Sequence, residues 1–369
     1  MKGTHIVGLA SPWAISLALL MAASSFAQAP AAKPADPKAT ATAIPALPPI
    51  EQPDWLFPHP PKPLPTPAVK PAEPKKQAEP KPAESKPATE ELLDIPDSAE
   101  RFPLSRINDP FNPPDWRPNS HGPMPDVVAK GRKPAVMACA FCHTPSGQGR
   151  PENSSLAGLS EGYIRQQLLD YRSGRRKAVG PDTYAPIQNM IKIAKAMTDQ
   201  EIDDSAKYFS QQKLKRRVYV IESLRIPRAE PAAWIYQEYS GTEDLGDRML
   251  EVTQELVRHE RRDDRLEYLA YVPPGAINRG KRLVTTGKGG EDNQVRTLPC
   301  TQCHLTNLKG QGDIPPISGR SPTYLLRQLI AFRNGARTNE ASPQMNPVVE
   351  KLTMAEMIDI VAYVSSLPP

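Results

Sequence analysis

Cys139-Ala140-Phe141-Cys142-His143 and Cys300-Thr301-Gln302-Cys303-His304 hold all four cysteines of this 369-residue chain. Each is a Cys-x-x-Cys-His unit, and the spacing suits one chemistry: two thiols adding across the vinyl groups of a porphyrin, with the next histidine held beneath its iron. Two covalently attached haems per chain are the expectation. Zinc is the rival, since paired Cys-x-x-Cys motifs build structural sites. It explains neither the histidine directly after each pair nor the wide separation of the pairs. Disulfides would leave both histidines unexplained.

A proximal histidine leaves the sixth position of the iron open, and Met190 and Met345 are the candidates to fill it. Each lies eight residues before a threonine that opens a helix, in a stretch read as loop. Met197, four after Ile193, and Met354 and Met357, spaced with Val361, fit helical core stripes, the usual fate of methionine. His59, His121 and His259 are the other possible ligands beyond the leader. They fall in a proline-rich stretch, a Pro/Asn/Gly-rich lead-in and a charged run, and are read as solvated or loop histidines. No Ser-His-Asp, phosphate-loop or paired-carboxylate arrangement stands out.

The elements that must position these residues occur twice. Cys139 and Cys300 are 161 residues apart, and the same offset relates His143 to His304, Gly149 to Gly310, Gly158 to Gly319, Tyr163 to Tyr324, Gln167 to Gln328 and Arg176 to Arg337. After a longer loop in the first copy the offset becomes 155, relating Met190 to Met345, Thr198 to Thr353 and Tyr208 to Tyr363. The chain is an internal repeat of one haem-binding unit. Ile164, Leu168 and Tyr171, like Leu325, Leu329 and Phe332, have the spacing of a helix core stripe over 160–173 and its counterpart. Thr198-x-x-Glu201 and Thr353-x-x-Glu356 are capping boxes that start each unit's last helix. Residues 276–285 predict a helix in which Gly280 permits a close crossing, with a weaker counterpart near 126–130.

Composition divides the rest. Residues 1–27 read as an export signal: Lys2, an apolar run from Ile6 to Phe26, then small residues around Ala27, with no cysteine nearby for a lipid anchor. Because Lys2 stands alone and Pro12 interrupts the run, an uncleaved membrane anchor is the alternative. Residues 28–90 read as a disordered Pro/Ala/Lys-rich tether, taking many of the 44 prolines. An extended lead-in over 91–119 follows. Residues 120–213 and 273–369 are then the two haem domains, joined by an insertion over 214–272 in which 218–222 and 248–252 read as strands. The formal charge of +5 includes the runs at 172–177 and 213–217, read as solvated faces able to steer an acidic partner or touch anionic lipid. Export argues against a nucleic-acid partner.

Each repeat resembles a class I cytochrome c. The carriers of the resemblance are the Cys-x-x-Cys-His motif after a first helix, Leu156-Ala157-Gly158 and Ile317-Ser318-Gly319, the Tyr-led middle helix, the methionine segment and the aromatic residue in the last helix. The pair is similar to bacterial tandem di-haem cytochromes c. The resemblance implies an all-α fold of two tandem domains, with a small β insertion and the N-terminal tether as additions. It also implies Cys139, Cys142, Cys300 and Cys303 as thioethers, His143 and His304 as proximal ligands, and Met190 and Met345 as distal ligands. One departure is Ser154, where Pro315 stands in the second unit and the family supplies a carbonyl to the proximal histidine. The implied function is single-electron transfer in a periplasmic respiratory chain, between a dehydrogenase or quinol-oxidising complex and a terminal oxidase. A di-haem peroxidase or sulfur-compound dehydrogenase, or an electron-transfer subunit of a membrane complex, are the alternatives.

Overall fold

A computed structural model describes residues 48–59 and 90–369. The leader reading, and the tether reading apart from its 48–59 portion and residue 90, lie outside the described residues. Among those described, no helix is long and apolar enough to cross a membrane.

Elements follow in chain order. A short lead-in pairs β1 (Leu92–Leu93) with β2 (Phe102–Pro103) and runs into α1 (Leu104–Ile107). The first haem unit has α2 (Asp126–Ala129), α3 (Cys139–His143), α4 (Glu161–Ser173), α5 (Ala185–Ala196) and α6 (Asp199–Ser210). The insertion has β3 (Val218–Glu222), β4 (Arg225–Ala232), β5 (Ile235–Asp244), β6 (Leu250–Thr253), α7 (Leu256–Glu260) and β7 (Tyr268–Val272). The second unit has α8 (Ala276–Thr286), a minimal hairpin β8 (Lys288–Gly289) and β9 (Gln294–Val295), α9 (Thr301–His304), α10 (Pro322–Arg333), α11 (Ser342–Val349) and α12 (Met354–Ser366).

The helices begin where the sequence says they should. Ser160 and Ser321 accept a hydrogen bond from the third residue of α4 and α10, and both capping boxes are complete in α6 and α12. These caps satisfy backbone N–H groups that would otherwise be orphaned at each helix start. Each unit then closes a core of its own. One contains Val128, Ile164, Leu168, Ile202 and Phe209, the other Leu283, Leu326, Ile330, Met357 and Val361.

Three expectations need correction. The chain is not simply all-α, because the insertion is a five-stranded mixed sheet in the order β3-β7-β6-β5-β4. The β4–β5 hairpin at one edge of this sheet turns at Ala233 and Trp234, with φ of 47° and 70°. That is the geometry for which sequence normally offers Asn-Gly, so the turn carries no sequence signal. Pro227 and Pro231 hide β4 for a related reason, since a proline cannot donate to a ladder and is tolerated on an edge strand.

The lead-in is not merely extended. Ile95, Phe102, Ile107 and Trp116 form a small core, and the Trp116 Nε1–H donates to the Arg261 carbonyl of the insertion at 2.7 Å.

Residues 48–59 do not behave as tether. Leu56 and Phe57 are buried, Ile50 pairs with the Asn334 amide in both directions (2.8 and 3.1 Å), and Arg327 donates to the Leu56 carbonyl at 3.1 Å through Nε. Proline content set the expectation, but Trp55-Leu56-Phe57 supplies enough apolar surface to dock the segment.

Candidate functional site

Both Cys-x-x-Cys-His motifs form one short helical turn, α3 and α9, and each is followed by a residue at positive φ: Thr144 (61°) and Leu305 (66°). The chain then doubles back so that the Gly149 and Gly310 N–H groups donate to the His143 and His304 carbonyls, at 3.0 Å in each case. A Cβ at Gly149 would sit 2.5 Å from the Ser154 carbonyl oxygen, and one at Gly310 would sit 2.1 Å from that of Ile314. Only glycine fits there. This close approach brings one carbonyl under each imidazole: His143 Nδ1 lies 2.8 Å from Ser154 O, and His304 Nδ1 lies 2.8 Å from Pro315 O.

Ser154 therefore supplies the same carbonyl as Pro315. The departure from the family pattern changes the residue type and leaves the hydrogen bond intact. Burial pushes both histidines below the usual imidazole range and favours the neutral form that metal ligation needs. With Nδ1–H engaged, Nε2 is the nitrogen left to coordinate.

In the first unit the imidazole lines a pocket with about 1330 Å³ of empty space, its open mouth included. Cys139, Cys142, Leu156, Leu168 and Ile193 line it, as does Met190. Met190 and Met345 are not in loops: they lie within α5 and α11, each of which starts with a proline in its first turn. Such a proline pre-sets helical φ where its missing N–H costs nothing, so the segments that looked irregular fold as helices. Pro186, Ile187, Met190 and Ile193 of α5 face the pocket. Met197 also lines the pocket but is buried, and its repeat counterpart is the buried Leu352, as expected for a core position. Met345 is half-buried on α11.

The remaining histidines are absent from the pocket lining. His259 is not solvated: it is fully buried in the insertion, 3.0 Å from the Tyr268 hydroxyl and 3.7 Å from Glu152. His121 is held by Asp115 at 3.2 Å, which raises its pKa, and His59 packs edge-on against Tyr184 and Trp234.

Sequence reasoning missed the arginines between the two units. Arg176 and Arg337, repeat equivalents, are buried and pair by an antiparallel β-bridge. Arg176 donates to Gln167 and Gln328 (2.9 Å each), and Arg337 to the same two glutamines (2.8 and 3.3 Å) and to the Tyr163 hydroxyl. Arg320 and Arg327 are buried beside them and donate to backbone carbonyls. Among the described residues, none of these four guanidiniums hydrogen-bonds to a carboxylate. A buried charge without a counter-charge costs several kcal/mol. The arrangement fits a bound group that brings carboxylates of its own, as two haems do with four propionates. The matching offset of Arg176 and Arg337, both just after a conspicuous Gly, was the available signal.

With this geometry in hand, comparison with known proteins gives one family. The cytochrome c family profile matches residues 128–213 and 277–368. Cytochrome c4 of Azotobacter vinelandii is 25% identical over 246 residues, 66% of this chain and 89% of that protein. A thiosulfate dehydrogenase electron acceptor of Stutzerimonas stutzeri (strain A1501) is 27% identical over 241 residues, 64% of this chain and 82% of that protein. The crystal structure of reduced recombinant cytochrome c4 from Pseudomonas stutzeri aligns at 23% identity with a TM-score of 0.39, covering 62% of this chain and 93% of that one. The chain belongs to the cytochrome c family, as a tandem di-haem member whose two domains each carry a covalently bound c-type haem.

Proposed function

We propose that this chain is a periplasmic single-electron carrier of a respiratory chain. In this reading Cys139 and Cys142 hold one haem and Cys300 and Cys303 the other. His143 and His304 are the proximal ligands, and Met190 and Met345 the distal ones. The observation that carries the reading is the duplicated histidine geometry, in which Nδ1 is fixed to a carbonyl eleven residues on at 2.8 Å in both units. A bound haem supplies a one-electron iron couple. The protein's part is to orient the imidazoles, keep them neutral, exclude water with Leu156, Leu168 and Ile193, and offset carboxylates with the buried arginines.

Closed histidine–methionine ligation favours transfer through the haem edge over substrate chemistry. The partners in this reading are proteins: a dehydrogenase or quinol-oxidising complex as donor and a terminal oxidase as acceptor. Relatives described as a thiosulfate dehydrogenase electron acceptor and as the cytochrome subunit of sulfide dehydrogenase support the dehydrogenase side.

The test is the near-infrared methionine-to-iron charge-transfer band of the oxidised protein. Met190→Ala and Met345→Ala should each remove part of it. An unchanged band in both variants sinks the ligand assignment. Stoichiometric carbon monoxide binding by the native reduced protein would replace the carrier reading with that of a di-haem enzyme.

A further inference from the structure

The two units match in sequence and differ in what covers them. After the first motif, residues 144–149 are all buried. At the equivalent places in the second unit Thr306, Asn307 and Lys309 are exposed, as are Gln302 and Cys303, whereas Phe141 and Cys142 are half-buried.

The cover over the first unit comes from the insertion and the lead-in. The Arg262 guanidinium lies over the Phe141 ring, 3.6 Å from its centroid. Asp264 accepts from the Ser146 hydroxyl at 2.6 Å, and Arg217 donates to the Gly149 carbonyl at 2.8 Å. Gln148 is held from both sides by the Lys213 carbonyl and the Lys215 N–H, each at 2.9 Å. Arg117 of the lead-in ties this cap down through Asp263 at 2.9 Å and Asp264 at 2.5 Å. The cap therefore sits on the edge where a thioether-bound haem would otherwise meet a partner. In the second unit Leu298, two residues before the motif, is 46% exposed, and the Lys309 ammonium donates to the Pro369 carbonyl at 2.8 Å.

We propose that the surface framed by Leu298, Gln302, Cys303, Asn307 and Lys309 is the port for electron exchange with other proteins, and that the insertion confines the first haem to exchange with the second. This rests on the haem attachment proposed above. Lys309 is the one lysine, arginine or carboxylate residue between 298 and 309, so the occupant that fits is a redox protein with a small apolar contact and an acidic rim. A partner giving up one electron would do so to the haem that Cys300 and Cys303 would hold, and the haem on Cys139 and Cys142 would exchange with that one.

Hydrogen exchange on the haem-loaded chain should show fast amides over 305–310 and protected amides over 144–149. Equal protection in the two loops overturns the proposal. Stopped-flow oxidation of the fully reduced chain by hexacyanoferrate(III), an anionic probe, gives the second readout. At low ionic strength Lys309→Glu should slow oxidation of both haems by about three- to tenfold. Arg265→Glu, the same reversal at an exposed position of the cap, should leave the rate unchanged. An unchanged rate in Lys309→Glu, or slowed oxidation of the first haem in Arg265→Glu, overturns it. Haem mass on each variant separates these results from failure of attachment: loss of a haem from the native chain would sink the underlying reading instead.

Discussion

Replacing Gly280 by alanine sets two effects of known sign against each other. Helix propensity favours the alanine by about 1 kcal/mol in a helix interior. The packing opposes it, because a Cβ at 280 would lie 1.8 Å from the Asp359 carbonyl oxygen, 2.5 Å from its carbon and 3.0 Å from the Tyr363 Cβ. Two of the three are backbone atoms, so no side chain can swing away. α8 and α12 would have to part by more than 1 Å, roughly the gap that forfeits a quarter to a half of the dispersion energy between facing atoms. The contacts at risk are those of Ala276, Leu283 and Val284 with the α12 core, and the pairing of Arg279 with Asp359 at 2.8 Å. Overpacking costs about 1–3 kcal/mol and sometimes more, and a 1.8 Å approach to a backbone oxygen belongs at the upper end, so after the propensity gain the net effect should be a loss of about 2 kcal/mol. For a unit of this size that lowers the Tm by about 8–16 °C. Melting of the haem-loaded chain by far-ultraviolet circular dichroism measures it. Gly122→Ala, where nothing lies within 4 Å of the added Cβ, is the control and should shift little. If Gly280→Ala raised the Tm, propensity would have won and the close crossing would not be what the glycine is for.

Two further outcomes follow from buried charge. Burial lowers the pKa of His259 to about 4, so the folded protein keeps it neutral while the unfolded chain protonates it near 6.5. Its contribution is fully present above pH 6.5 and is lost as the pH falls toward 4, a decline of roughly 3 kcal/mol. Urea unfolding across that window should show the slope flattened in His259→Gln, and the same slope in both proteins would count against it. Arg337→Met leaves Gln167 and Gln328 with Arg176 alone and removes one of the buried positive charges between the units. The expected loss is about 3 kcal/mol in the haem-loaded chain and less in the haem-free chain, because the penalty of an unpaired carboxylate arises only with haem present. An equal loss in both would mean the arginine is a structural pin and not a counter-charge.

What was legible in the sequence was what depends on local pattern. The repeat, the capping boxes at Thr198 and Thr353, the helices at 161–173 and 276–286, the strand at 218–222 and the crossing glycine at 280 all carry their physical cause within a few residues. Less legible was whatever depends on partners distant in the chain. Leu56 and Phe57 sit in a run whose proline content outweighs two apolar side chains, and only the surface of α10 and Tyr184 gives them somewhere to go. The strands β4 and β5 hold together through a turn of Ala233 and Trp234 that no turn rule favours. His259, set in a run of arginines and acids, reads as surface until the sheet and Glu152 close around it. In the candidate site, the matched histidine geometry was legible because each Cys-x-x-Cys-His motif is local in sequence and repeated. The secondary structure around Met190 and Met345 was not, since a proline near a helix start and a proline in a loop look alike in one dimension.

The charge of the chain takes on a different meaning once these positions are known. A formal +5 suggests a basic surface that steers partners over long range. Yet Arg176 and Arg217, members of the two most basic runs, are buried, and Arg320, Arg327 and Arg337 are buried with them. Arg176, Arg320, Arg327 and Arg337 serve the interior, where four propionates would balance four guanidiniums. Among the described residues at least as many carboxylates as arginines are buried, so it is the propionates that would bring the total below +5, and what acts on a partner is set by position. Arg262, fixed over Phe141, lies beside the first haem's motif, while Lys309 stands exposed beside the second. Salt should weaken partner association here to the modest degree expected of a single lysine at a small apolar contact, and not to the steep degree that a uniformly basic carrier of net charge +5 would show.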